Sequence, residues 1–153
     1  MKILEIVDRN WRTLNKAAAA HVAVYRATNG RLGQRFLGTA APMLLLDHVG
    51  ARSGIQRTTP LVYLASGSDL VLVASKSGHP NNPAWYHNLL ANPETTVQVG
   101  PELRPVRARV ADPAERDRLW PEVVRLLAIF DTYQQRTERE IPLVILEPRG
   151  SHS

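Results

Sequence analysis

Pro60 to Ala65 and Leu70 to Ala74 are two short apolar runs, separated only by Ser66-Gly67-Ser68-Asp69. A gap of that length and composition reverses the chain tightly, so the two runs pair as antiparallel neighbours. The pattern then repeats. Thr95 to Val99 and Arg104 to Val110 alternate in polarity around Gly100-Pro101, with Arg104, Val106, Ala108 and Val110 on one face. Met43 to Val49 adds a strand interrupted only by Asp47, and Pro142 to Glu147 adds a last one. Six short strands joined mostly by tight turns leave no room for the strand–helix alternation that builds a parallel sheet. The expected class is mainly β with flanking helices (α+β), a small closed or split β-barrel of about six antiparallel strands. A doubly wound nucleotide fold is disfavoured, because neither Gly-x-Gly-x-x-Gly nor a P-loop occurs.

The helices fall between these strands. Leu4, Val7, Trp11, Leu14, Ala18, His21 and Tyr25 recur at spacings of three and four, which predicts an amphipathic helix over 3–28 stopped by Asn29-Gly30. Asn82-Pro83 reads as N-cap and first helical residue of a short helix running to about Leu90. Asp112-Pro113-Ala114-Glu115 opens another as a capping box. Pro121 predicts a kink or restart within it, helical character lasts to about Ile129, and a further turn or two is expected near Tyr133 to Glu140. Residues 149–153 read as a flexible tail. A chain of 153 residues suits one domain, 1–153, with 1–30 forming the basic N-terminal helix.

Charge is unevenly placed. The net charge is +5, and residues 1–35 hold seven basic side chains against two acidic ones, while the remainder balances twelve against twelve. A basic helix on a neutral body points to an anionic partner at that end. One reading is peripheral contact with a membrane surface through residues 1–28. The plainer one is packing against the chain's own body or a second copy in a homodimer. Interleaved exposed aromatics and a docking motif are missing, so nucleic acid is not expected. No unbroken apolar run marks a secretory signal or a membrane span, and the expected location is cytoplasmic, with peripheral contact at the inner face of the cell membrane as the extension.

Several chemistries are excluded by residue type. There is no cysteine, hence no thiolate zinc site, iron–sulfur cluster or cysteine nucleophile. The five histidines lack metal-ligand spacing, and no Gly-x-Ser-x-Gly elbow supports acyl transfer. What remains is a pair of basic, glycine-bearing turns. Gly50 to Gly54 carries Arg52 and Ser53, with Arg57 opening the next strand. Ser75-Lys76-Ser77-Gly78 follows the strand ending at Ala74. Glycines let backbone N–H groups approach an anion, and arginine grips phosphate with a two-pronged fork. Either turn alone is equally well a solvated reversal. Together with the helix start at Asn82 they lie within 33 residues and could converge on one anion. Trp85 and Tyr86 either stack on a cofactor or anchor that helix. Tyr133 is either a proton donor near substrate or a wet surface hydroxyl.

Six segments in one order then carry a resemblance: His21 to Arg26, Gly50 to Gly54, Arg57 to Leu61, Ala74 to Gly78, Asn82 to Leu89 and Ala91 to Pro93, with Arg136 to Pro142 closing the series. The chain resembles the deazaflavin-dependent nitroreductase family of actinobacteria over about residues 20–148. The resemblance implies an FMN-binding split-barrel-like fold. It also implies hydride transfer from reduced coenzyme F420 to a quinone, nitroaromatic or other activated acceptor. By that analogy Arg52, Ser53, Arg57, Ser75, Lys76, Ser77 and Gly78 hold the phosphate and acidic tail. Pro60, Ala74 and Trp85 line the ring pocket, Asn88 supports it, and Tyr133 faces the acceptor. Ala51, Val62 and Phe130 depart from residues found in some members, which bears on the choice of acceptor. The alternatives are a non-catalytic F420 carrier and an FMN-binding split barrel.

Overall fold

The computed structural model describes residues 11–36 and 38–150. Helix α1 (Trp11–Ala27) leads into strands β1 (Met43–Val49), β2 (Gln56–Ser66) and β3 (Asp69–Val73). A single helical turn at Lys76–Gly78 precedes α2 (Ala84–Ala91). Then come β4 (Glu94–Val99), β5 (Glu102–Val110), α3 (Pro113–Leu126), α4 (Ile129–Arg136) and β6 (Leu143–Pro148).

The strands close into one antiparallel barrel in the order β1-β2-β3-β6-β5-β4. Both expected hairpins form, Ser66 pairing with Asp69 and Val99 with Glu102. Gly67 and Gly100 sit at φ 59°, where only glycine is unstrained. Closure depends on the final strand. β6 pairs with β3 (Leu72 with Val144) and with β5 (Ala108 with Leu146), while β1 meets β4 at Leu46 and Val97.

Strand alternation sorts the core in two. Leu44, Leu46, Leu70, Leu72, Val144 and Leu146 point inward and fill the barrel with Trp85 and Leu89 of α2. Val71, Val73, Leu143 and Ile145 point outward and are buried by Leu119, Val123 and Phe130 of α3 and α4. β3 and β6 are therefore covered on both faces, which explains why they read as unbroken apolar runs.

The structure departs from expectation in three places. First, the Asn82 cap does not form: Pro83 holds the N-cap position of α2, and the Asn82 side chain accepts a hydrogen bond from Arg139 Nη1 at 2.8 Å instead. Second, Pro121 does not restart the helix, because α3 runs unbroken through it; Leu119 and Val123 on either side are pinned in the outer core. The break falls later, at Leu127 and Ala128, so α4 begins at Ile129. Third, Arg149 is no loose tail residue. Its N–H donates to Pro105 O and its Nη2 to Thr95 O. The first eight residues of the 3–28 helix lie outside the described residues, as do 151–153 of the tail.

Other expectations hold. Asp112 and Glu115 exchange side-chain and backbone hydrogen bonds as a capping box, and Glu115 also grips Arg109 at 2.6 Å. Asn29 and Gly30 end α1 with positive φ. The α1 stripe packs on the protein's own barrel: Tyr25 is buried, Ala18 and His21 are half-buried, and Ala19, Ala20, Ala23 and Val24 are exposed.

Candidate functional site

An apolar cleft of about 160 Å³ opens beside the barrel where β2, β3 and α4 meet. Met43, Pro60, Leu61, Val62 and Val73 form its barrel wall. Leu127, Ile129, Phe130 and Tyr133 form the opposite wall, with Phe36 at the side. The break between α3 and α4 supplies that second wall, because Leu127 and Ile129 lie at it. Phe130 and Tyr133 stand edge to face, ring centres 6.2 Å apart. Ser75 and Tyr133 are the lining residues with polar side-chain groups, and Ser75 is also where the basic turn begins.

That turn has an unusual backbone. Ser75 is right-handed at φ −80°, ψ −40°, and Lys76, Ser77 and Gly78 follow at φ 44°, 55° and 75°. A right-handed residue followed by a left-handed one turns successive N–H groups into one concavity, an anion nest. Left-handed Lys76 and Ser77 are costly, about 1–3 kcal/mol each, so something must hold them. Gly78 is required sterically as well. A Cβ there would stand 2.6 Å from Tyr133 O, so α4 rests directly on the turn. Carbonyls of the segment are all engaged: Ser77 O accepts from Arg136, Lys76 O from the His79 N–H, Ser75 O from both the Gly78 N–H and Arg139, and Ala74 O and His79 O from Arg139.

The Gly50–Gly54 turn is held from below by a buried relay. Asn88 Oδ1 accepts from the Ala51 N–H at 2.9 Å, its Nδ2 donates to His48 Nδ1 at 2.9 Å, and His48 Nε2 meets Thr59 Oγ1 at 2.8 Å. The amide nitrogen of Asn88 can only donate, so His48 Nδ1 is bare and the ring is neutral with its proton on Nε2, donated to Thr59. Burial, with a smaller contribution from nearby Arg57, pushes the His48 pKa below its ordinary value; Asp47 opposes weakly. Arg52, Ser53 and Arg57 are all exposed above this relay.

The predicted residues therefore divide. Pro60, Ser75 and Tyr133 meet at the cleft, and Ser75, Lys76 and Ser77 form the nest at its edge, closed by the Gly78 N–H donating to Ser75 O. β2 runs from Arg57 to the cleft wall at Pro60, so the Arg52 turn and the nest lie toward the same end of the barrel. Ala74 and Trp85 do not line the cleft. Both are buried in the barrel interior, Trp85 at 6% exposure, so the indole anchors α2. Tyr86 is half-buried against the same core. Asn88 is buried with both ends of its amide engaged, which makes it a support of the Arg52 turn. Sequence reasoning missed Met43 and Val73 because they read as strand core. It passed over Arg139 and Arg136 because nothing local distinguishes them from surface charge. Among the described residues no cluster of metal-ligating side chains occurs.

Comparison with known proteins gives the family and the fold. The family model described as F420H(2)-dependent quinone reductase matches residues 17–148. A relative from Mycobacterium tuberculosis (strain ATCC 25618 / H37Rv), named as an F420H(2)-dependent quinone reductase, is 46% identical over 132 residues, covering 84% of this chain and 88% of its own. Among solved structures, an F420-H2 dependent reductase superposes with a TM-score of 0.64 at 37% identity, covering 69% of this chain and 94% of that one. A second, described as a domain-swapped dimer, has a TM-score of 0.65 at 30% identity and covers 96% of this chain and all of that one.

Proposed function

The chain belongs to the F420H(2)-dependent quinone reductase family, and on that premise we propose that it reduces a quinone or similarly activated acceptor with coenzyme F420. The observation that carries this reading is the position of Ser75. It lines the apolar cleft and also opens the nest, so a flat ring and an attached anion can be held side by side. The donor set fits such a molecule: N–H groups and cations at one end, aliphatic and aromatic walls at the other.

When bound, the reduced deazaflavin supplies the hydride. The protein's own contributions are positional. The nest, Lys76 and the exposed Arg52, Ser53 and Arg57 bind the phosphate and acidic tail by charge-assisted hydrogen bonds, each worth about 1.5–3 kcal/mol. Pro60, Val62 and Phe130 shape a dry seat that excludes water. Tyr133, held by Phe130 and by the contact of its carbonyl with Gly78, orients the acceptor and can donate its hydroxyl proton. Val62 and Phe130 carry no polar group, so acceptor orientation falls to Tyr133.

The decisive experiment is binding of F420 and of FMN to the purified protein, followed by fluorescence. Reduced F420 is then mixed with a menaquinone analogue and recovery of the oxidised chromophore is recorded. Selective F420 binding with turnover is expected. Tight binding without turnover on any acceptor would make the protein an F420 carrier, and preference for FMN would remove the proposal.

Two further partners belong to the same reading. The basic N-terminal segment and the exposed α1 face (Lys16, Ala19, Ala20, Ala23, Val24) favour contact with an acidic membrane surface, where a lipid-borne quinone resides. No helix among the described residues is long and apolar enough to cross a membrane. Co-sedimentation with anionic vesicles, with and without residues 1–15, tests the contact. A homodimer is favoured by the relative described as a domain-swapped dimer, and light scattering decides it.

A further inference from the structure

Arg139 lies outside the cleft, yet its guanidinium makes four hydrogen bonds beside the site. Its Nε donates to His79 O at 2.9 Å, Nη1 to Ala74 O at 3.2 Å and to Asn82 Oδ1 at 2.8 Å, and Nη2 to Ser75 O at 2.8 Å. Three of these acceptors are backbone carbonyls of the Ala74–His79 segment that contains the nest, and the fourth is the side chain of Asn82, three residues further on. A peptide plane carries its N–H opposite its carbonyl. Drawing the carbonyls of Ala74 and Ser75 toward Arg139 therefore turns the N–H groups of Ser75 and Lys76 the other way. Those are the N–H groups that form the concavity. The left-handed φ of Lys76 and Ser77 cannot arise from local preference, and such strain persists only where the surroundings over-determine it.

We propose that Arg139 is a positioning residue, which preforms the Ser75–Ser77 nest for the anionic end of the cofactor by fixing the carbonyl side of the Ala74–His79 segment. This rests on the reading of the nest as the phosphate site. The role needs the planar fork. A lysine keeps the charge but offers three donors at a single point, which cannot span acceptors on both sides of a turn.

The test compares two ligands on the full chain. One is F420; the other is the deazaflavin alcohol that has the same ring and ribityl chain without phosphate or acidic tail. In the wild-type protein F420 binds more tightly. In Arg139→Lys the Kd for F420 rises by about tenfold or more, as expected when charge-assisted bonds to a preformed site are lost, while the Kd for the alcohol stays within about twofold. At saturating reduced cofactor kcat is retained and only KM rises. Asn82→Ala, which removes one acceptor of the guanidinium, gives a smaller shift in the same direction and keeps the proposal testable should Arg139→Lys not fold. Equal loss of both ligands, or an unchanged ratio between them, overturns the role of Arg139 while leaving the nest in place. A wild-type protein that binds both ligands alike overturns the nest as phosphate site and this proposal with it.

Discussion

Lys76 combines two demands that rarely coincide: a long cationic side chain and a backbone at φ 44°. If its charge serves an anion at the nest, Lys76→Ala weakens F420 binding by up to about tenfold at low ionic strength, and the deficit shrinks as salt is raised through 0.5 M because exposed charge is screened. Fluorescence titration in two salt concentrations measures this. Unchanged affinity at low salt would place the anion elsewhere. Tyr133 makes the complementary case. Its ring lines the cleft while its backbone carbonyl abuts Gly78, so Tyr133→Phe preserves the packing and removes only the hydroxyl. Turnover should drop by about tenfold to a hundredfold with cofactor affinity intact; loss of both together would make the tyrosine a cofactor contact. The basic character of this turn was legible, since Ser75 to Gly78 announce a polar reversal after an apolar strand. Its left-handed geometry was not, because the group that enforces it is 64 positions away.

Between α2 and β1 the structure carries a charge-free relay whose direction depends on one proton. Asn88 donates to bare His48 Nδ1 and accepts from the Ala51 N–H. Protonating His48 sets two donors face to face and turns the Asn88 amide away from Ala51. The groups facing the ring are Asp47 on its own strand and Arg57 on β2, with Arg57 and burial together keeping the pKa low. A folded pKa below the ordinary value of about 6.5 means that the stability gained is complete above that pH and is lost as pH falls through the folded value. Urea midpoints should therefore fall between pH 6.5 and 5 in the wild type, and by less in His48→Gln. Asn88→Ala leaves His48 Nδ1 and the Ala51 N–H without partners, at a cost of about 1–3 kcal/mol, and loosens the Arg52 turn. Hairpins and caps that depend on neighbours in sequence were readable here, as Ser66–Asp69 and the Asp112 box show. The Asn82 cap and a restart at Pro121 were misread because Arg139 and the outer core outweigh local preference.

Closure of the barrel is secured by a residue that belongs to no strand. Tyr25 of α1 is fully buried, and its hydroxyl accepts from the Gly100 N–H at 2.7 Å while donating toward Met43 O at 3.1 Å and Gln98 O at 3.3 Å. One phenol thus joins the helix, the entry of β1 and the β4–β5 turn. The fit is close: a Cβ on Gly30, which ends the helix, would lie 2.5 Å from Gly100 Cα. Burial holds the Tyr25 pKa above its ordinary value, so the group stays protonated and able to donate. Tyr25→Phe keeps the ring but leaves the half-buried Gly100 N–H without its partner, which should destabilise the protein by about 1 kcal/mol or more. For a chain of this length that corresponds to a fall in Tm of several degrees, at roughly 2–4 °C per kcal/mol. A melting curve within 1 °C of wild type would show that α1 is an appendage rather than part of the closure. Any truncation used to probe the membrane must accordingly stop short of Tyr25, or lost stability will pass for lost binding.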